Sequence, residues 1–152
     1  AREKGGIPVL ITPTQRRSFD DNGKIQLTHG EYPNAMRKAA EKLNVPLIEL
    51  NGMTKTMYEA WGVEASRKAF VQYPANTFPG QDKKLEDNTH FNTFGANEVA
   101  KCILQGIIDL DLPLKDHIIN FDEPYDPAHP ANFSDWNLIM SPRFVSKKPE
   151  GK

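Results

Sequence analysis

Pro8-Val9-Leu10-Ile11-Thr12 and Val45-Pro46-Leu47-Ile48-Glu49-Leu50 are two short apolar runs between chain breakers, and what separates them decides the fold. Runs of this kind suit strands buried on both faces of a parallel sheet. Between them, Pro33 stands where a helix can start, and Met36, Ala39, Ala40 and Leu43 recur at spacings of three and four. That spacing predicts one amphipathic helix over 33–44. Strand, helix, strand is a βαβ unit with a right-handed crossover, which places the chain in the α/β class.

Outward from this unit, Arg2, Lys4 and Gly5-Gly6 read as the last turn of a helix with its C-cap. Residues 13–31 contain Asp21-Asn22-Gly23 and His29-Gly30 and no helical period, so they are expected to form a long surface loop or a small hairpin. Met53, Met57, Tyr58 and Trp61 mark a second helix over about 53–61. The Pro/Gly/Asn-rich stretch 73–90 has no period and reads as another loop. A third helix over about 94–109 buries Val99, Cys102, Ile103 and Ile107. From Leu112 onward Pro113, Pro124, Pro127, Pro130, Pro142 and Pro149 crowd the chain. Its aromatic residues (Phe121, Tyr125, Phe133, Trp136, Phe144) predict a tail that packs over a surface, with 147–152 frayed. The expected division is a half-domain over 1–111 and a Pro-rich extension over 112–152. Two buried strands cannot satisfy both edges of a sheet, and a doubly wound domain needs about five. The simplest account is that the remaining strands belong to an N-terminal half outside this numbering.

Composition narrows the function. The 152 residues leave room for one domain, and a formal charge of −1 supplies no field for phosphate backbones or anionic lipid. Nucleic acid and membrane surfaces are therefore poor partners, and small or neutral ligands are better ones. No apolar run is long enough for a membrane span, and the first residues lack the apolar core of a signal peptide. A single cysteine, Cys102, excludes an internal disulfide and a cysteine-ligated zinc site. In the apolar stripe of its helix it reads as structural.

The sharpest local feature is Asp87-Asn88-Thr89-His90-Phe91-Asn92, just ahead of a helix. An Asp three residues before a His can fold back across one turn and accept the proton of the inner imidazole nitrogen. The outer nitrogen is then free to act as a base. The plainer alternative is that Asp87 caps a turn and His90 packs beside Phe91. No nucleophile accompanies the pair, because Ser18, Ser66, Ser134, Ser141 and Ser146 have no glycine neighbour and no strand-to-helix elbow. Convergence of His29, His90 and Asp87 on a metal is a third possibility without a supporting spacing. Arg16, Arg17, His29 and Tyr32, in or beside the loop after the first strand, are candidate substrate contacts, since ligands in open α/β sheets bind outside the carboxyl ends of strands. Asn92 joins them as a candidate beside His90.

Taken in order, VLITP, QRRSFDDNGKI, THGEYPNAMRKAAEKLNVPLIELN and DNTHFNTFGANEVAKCI resemble the C-terminal half of GDSL/SGNH hydrolases of the rhamnogalacturonan acetylesterase type, over about residues 5–110. The resemblance implies a flavodoxin-like three-layer α/β/α fold and a Ser-His-Asp site that deacetylates pectin or rhamnogalacturonan-type polysaccharide without metal or cofactor. Asp87 and His90 match the family's DxxH block. The departures matter equally: the GDS nucleophile block, the oxyanion glycine block and the GxND block have no counterpart here. The 152 residues alone are therefore expected to lack esterase activity, the serine being supplied by an N-terminal half from the same gene or a second chain. By the same resemblance the parent is secreted or periplasmic and meets an acetylated polysaccharide or oligosaccharide. The competing expectation is a non-catalytic half-domain, retained as a carbohydrate-binding or assembly module and completed by another chain.

Overall fold

In the computed structural model, which describes residues 1–137, the two apolar runs form β1 (Leu10–Ile11) and β2 (Leu47–Ile48). They pair in parallel, with Leu10 opposite Leu47 and Ile11 opposite Ile48. Helix α1 (Tyr32–Leu43) connects them, with Pro33 in its first turn and Asn44 in the left-handed region at its C-cap. The βαβ reading of the sequence thus describes this part of the molecule, and the chain is a mixed α/β structure.

Helix α2 (Leu50–Ala65) begins three residues before the expected start, and its regular part ends where the apolar spacing ends, at Trp61. Gly62 breaks it with φ 75°, a backbone conformation that side chains disfavour. A 3-10 turn (Ser66–Ala69) then leads into β3 (Phe70–Tyr73), which pairs antiparallel with β4 (Leu85–Phe91), and α3 (Thr93–Asp109) follows at once. Met57 and Tyr58 of α2, Phe70 of β3, and Phe94 and Cys102 of α3 are fully buried together. Each large apolar side chain in this group contributes about 1.5–3 kcal/mol by leaving water. Burial also pushes the Cys102 thiol up to about 12, so it is an unreactive core group.

Two expectations are corrected and two are met in part. Residues 73–90 are not simply a loop, because 85–91 form a strand of a hairpin. Its side chains are mostly exposed and polar, so no apolar alternation announced it, and backbone pairing with β3 holds it instead. The described strands number four rather than two. The stretch 13–31 contains a small hairpin closed by a Phe19–Ile25 bridge, yet Gln15, Arg17 and Ile25 are buried. The N-terminal segment is a 3-10 turn (Arg2–Lys4), with Gly5 left-handed after it.

The described part of the tail is tied to α2 and α3 through polar groups. Glu98 of α3, fully buried, accepts hydrogen bonds from Tyr125 Oη and the Ala131 amide, both at 3.1 Å, and pairs with Lys101 at 2.6 Å. Trp61 Nε1 donates to the Ala131 carbonyl at 2.9 Å, and Phe94 meets Phe133 and Trp136 edge-on. Ser141, Phe144, Ser146 and the frayed end expected at 147–152 lie outside the described residues. No helix among the described residues is long and apolar enough to cross a membrane.

Candidate active site

Between Phe70 and Gln72, β3 advances two residues while β4, from Phe91 back to Glu86, covers five. The four residues 87–90 thus stand against the single residue Val71, and the surplus of three bulges out of the ladder. Bulges re-aim side chains and end pairing, and are enriched beside active sites. Asp87 and His90 are the two ends of this one.

The bulge is closed by its own aspartate. Asp87 Oδ1 accepts the amides of Thr89 at 2.6 Å and His90 at 2.9 Å, while Oδ2 lies 2.6 Å from His90 Nδ1. These bonds, led by that from the His90 amide, hold the Asp87 carboxyl at about 2, well below its ordinary 3.8. An ionised carboxylate only accepts, so the proton between the pair sits on Nδ1. In the neutral ring the other nitrogen, Nε2, then carries a free lone pair. The His90 side chain is 77% exposed, and that of Asp87 is 35% exposed. This is the orientation expected from the Asp-x-x-His spacing.

What fixes the bulge to the rest of the molecule is Asn88, which the sequence reading passed over. Its carbonyl accepts the Arg17 amide at 2.8 Å, and its Oδ1 accepts Arg17 Nη1 at 3.0 Å and Gln72 Nε2 at 2.7 Å. Arg17 is buried, with Nε on Ser66 Oγ at 2.9 Å and Nη2 on the Val63 carbonyl. Burial lowers its guanidinium from the ordinary value, with Arg67 adding to the effect. Arg17 was expected to touch substrate; it is a brace, because all three guanidinium nitrogens are spent inside the fold.

Asn92 is a similar correction. It caps α3, its Oδ1 taking the Gly95 amide at 3.0 Å, and its Nδ2 donates to the carbonyls of Lys68 at 2.7 Å and Phe70 at 3.1 Å. Both Nδ2 protons are used inside the fold, so Asn92 has no donor left for a ligand. Gly95 is required there, since any Cβ would overlap the Ala69 carbonyl oxygen. The close approach seats α3 on the Ser66–Ala69 turn and so sets where His90 leaves the strand.

The other candidates are scattered. Arg16 is exposed, with one long bond to the Thr28 carbonyl at 3.4 Å, and Tyr32 is exposed at the start of α1. His29 bonds the Thr14 carbonyl through Nε2 at 2.8 Å and lines a cleft with Gln15. It is not gathered with Asp87 and His90, and among the described residues no three His, Cys, Asp or Glu side chains group as metal ligands. Nor does a described serine hydrogen-bond His90: Ser18 bonds Gln26, Ser66 serves Arg17, and Ser134 bonds Asp135.

Comparison with known proteins adds what geometry cannot. No family model matches the chain, and no solved structure matches it significantly. Rhamnogalacturonan acetylesterase RhgT of Bacillus subtilis (strain 168) is 52% identical over 120 residues, covering 79% of this chain and 52% of that protein. The probable rhamnogalacturonan acetylesterase YesY of the same organism is 36% identical over 119 residues, covering 78% and 50%. The chain thus spans about half the length of the curated relatives it matches. Over a partial region of their length, its sequence is similar to that of these two rhamnogalacturonan acetylesterases, which supports the likeness to the GDSL/SGNH type.

Proposed function

We propose that these residues are the Asp/His-bearing part of a carbohydrate acetylesterase that deacetylates pectin or rhamnogalacturonan-type polysaccharide by a Ser-His-Asp mechanism. The observation that carries the reading is an oriented pair on a braced bulge: Asp87 Oδ2 lies 2.6 Å from His90 Nδ1, which leaves Nε2 at the surface, and Arg17 and Gln72 hold the bulge from behind through Asn88. In the reaction, Nε2 takes the proton of a serine hydroxyl as its oxygen attacks the acetyl carbonyl. His90 returns that proton to the sugar oxygen as the C–O bond breaks. A water then repeats the attack on the acyl-serine, again losing its proton to His90, and acetate leaves as the serine is reprotonated. Asp87 keeps the tautomer and stabilises the imidazolium throughout.

The serine and the oxyanion donors come from outside the 152 residues, from an N-terminal half that completes a three-layer SGNH domain around 1–111. Residues 112–152 are its extension. An acetylated polymer is met outside the cytoplasm, so the parent is secreted or periplasmic. That the described serines Ser18, Ser66 and Ser134 all bond groups other than His90 favours a second reading, a non-catalytic module completed by another chain.

The test is acetate release from acetylated rhamnogalacturonan by the 152-residue chain, alone and joined behind the N-terminal half of RhgT. The expected result is no turnover alone, turnover in the fusion, and loss of it with His90→Ala. A folded fusion that binds polymer and never releases acetate would instead establish the module.

A further inference from the structure

The Pro-rich segment 125–136 meets α3 in a regular order. The α3 residues it touches are Phe94, Glu98, Lys101 and Gln105, whose spacings of four, three and four put them in one stripe along the helix. Gln105 Oε1 accepts the Tyr125 amide at 2.7 Å, and Lys101 Nζ lies 5.7 Å from the centre of the Tyr125 ring. Glu98 Oε2 accepts both Tyr125 Oη and the Ala131 amide. Phe94 meets Phe133 at 5.4 Å and Trp136 at 5.8 Å between ring centres. The segment therefore runs against the direction of α3 over about 16 Å of helix, and it ends on the first turn, just after the His90 bulge.

The helix is built to receive it. Glu98 is fully buried, and a carboxylate there needs every partner it has. Its Oε1 is met by Lys101 at 2.6 Å and Asn97 at 3.3 Å, whereas both bonds to Oε2 come from the segment. Pro124, Pro127 and Pro130 fix φ along or beside it, so less chain freedom is lost in laying it down.

Opposite the segment, the first turn of α3 is already seated on residues 66–70, through Asn92 and through Gly95 against the Ala69 carbonyl. Lys68 closes the ring of contacts: its carbonyl takes Asn92 Nδ2, and its Nζ lies 5.7 Å from the centre of the Phe133 ring. Any shift of this turn passes to His90, two residues before the cap.

We propose that residues 125–136 are a clamp that positions His90 by gripping the first turn of α3, with Phe133 and Trp136 as positioning residues and Glu98 as the anchor. The clamp lies beyond residues 5–110, over which the chain resembles the esterase family, so that likeness does not imply it. The inference rests on the esterase reading for what His90 does, and on the contacts above for how it is held.

The experiment pairs amide hydrogen exchange and histidine ring signals of the 152-residue chain with kinetics of the fusion described above. In Phe133→Ala/Trp136→Ala, exchange at the Gly95 and Ala96 amides, both bonded to Asn92, should quicken about tenfold, as expected for two lost aromatic edge contacts. The Thr12 amide, bonded to Ile48 between β1 and β2, should exchange as before, and the His90 ring signals should broaden. In the fusion the same pair should lower kcat about tenfold with KM unchanged, since a misplaced base slows the chemical step and leaves substrate binding alone. Phe133→Tyr/Trp136→Phe keeps both edge contacts and should restore all three readouts. Tyr125→Phe removes only the hydroxyl on Glu98, should act in the same direction to a smaller degree, and serves should the double variant fail to fold. No change at Gly95 and Ala96, a rise shared equally by Thr12, sharp His90 signals, or an unchanged kcat in an active fusion overturns the clamp. A fusion that never releases acetate, while exchange and the His90 signals respond as stated, overturns the esterase reading alone.

Discussion

The molecule contains the same local device twice. Asp87 and His90 pair through Oδ2 and Nδ1 at 2.6 Å, and Asp126 and His129 do so at 2.7 Å. Both imidazoles are exposed, at 77% and 84% of the side chain. Both carboxyls are held below their ordinary value by a backbone amide first and the ring second. The likeness teaches that Asp-x-x-His makes an oriented pair whenever the backbone turns there, since the contact lies within one turn. The pairing alone therefore cannot distinguish a catalytic dyad from a surface turn.

The difference lies in what holds each turn. Residues 87–90 are an insertion in a strand ladder, braced from behind by Arg17 and Gln72 through Asn88 and followed by a capped helix. Residues 126–129 sit in a Pro-flanked segment held by its neighbours, Tyr125 and Ala131, on Glu98. Preorganisation of a base is a property of the surrounding structure, and only the first pair has it on both sides.

Several outcomes would break or sharpen this contrast. The largest effect is expected in the fusion described above: His90→Ala or Asp87→Asn should lower acetate release by about a thousandfold or more, whereas His129→Ala should leave it unchanged. Equal losses at both histidines would erase the distinction. Arg17→Met should cost about 2–4 kcal/mol in urea unfolding of the chain, because Asn88, Ser66 and the Val63 carbonyl lose a buried donor together. In the folded fraction the His90 signals should broaden while those of His129 stay sharp. Gly95→Ala should cost about 1–3 kcal/mol by the same measurement, as α3 is pushed off the Ala69 carbonyl.

A pH titration of the carboxyl carbons separates the two turns more finely. Asp87 accepts two backbone amides and Asp126 one from its side chain, so Asp87 should titrate lower, at about 2. Its folded value lies below the unfolded one, so its contribution to stability is complete above about pH 4 and is lost as pH falls through about 2. Asp126 titrating below Asp87 would refute the account of the closed bulge. The smallest effect is reserved for Asp126→Ala, expected to change stability by less than about 0.5 kcal/mol.

These contrasts also mark what could be read in advance. The Asp87–His90 pair was legible because three-residue spacing limits how the two can meet, yet the identical spacing at Asp126-Pro127-Ala128-His129 went unnoticed among the prolines. The strand β4 was invisible because its residues are polar and mostly exposed, leaving no alternation to see. Arg17 looked like a surface arginine because a polar loop gives no sign of what will close over it.

The sequence by itself determined the parallel pair with its connecting helix, the apolar stripes of the three helices and the aspartate–imidazole turn, since each follows from periodicity or from contacts within a few residues. Tertiary structure alone decided that residues 87–90 bulge out of a ladder, that Arg17 braces Asn88 across 71 positions, and that the Gln15 amide ends with one atom buried and free. Those facts depend on which distant donor meets which acceptor once the chain has packed, and no local pattern records that choice.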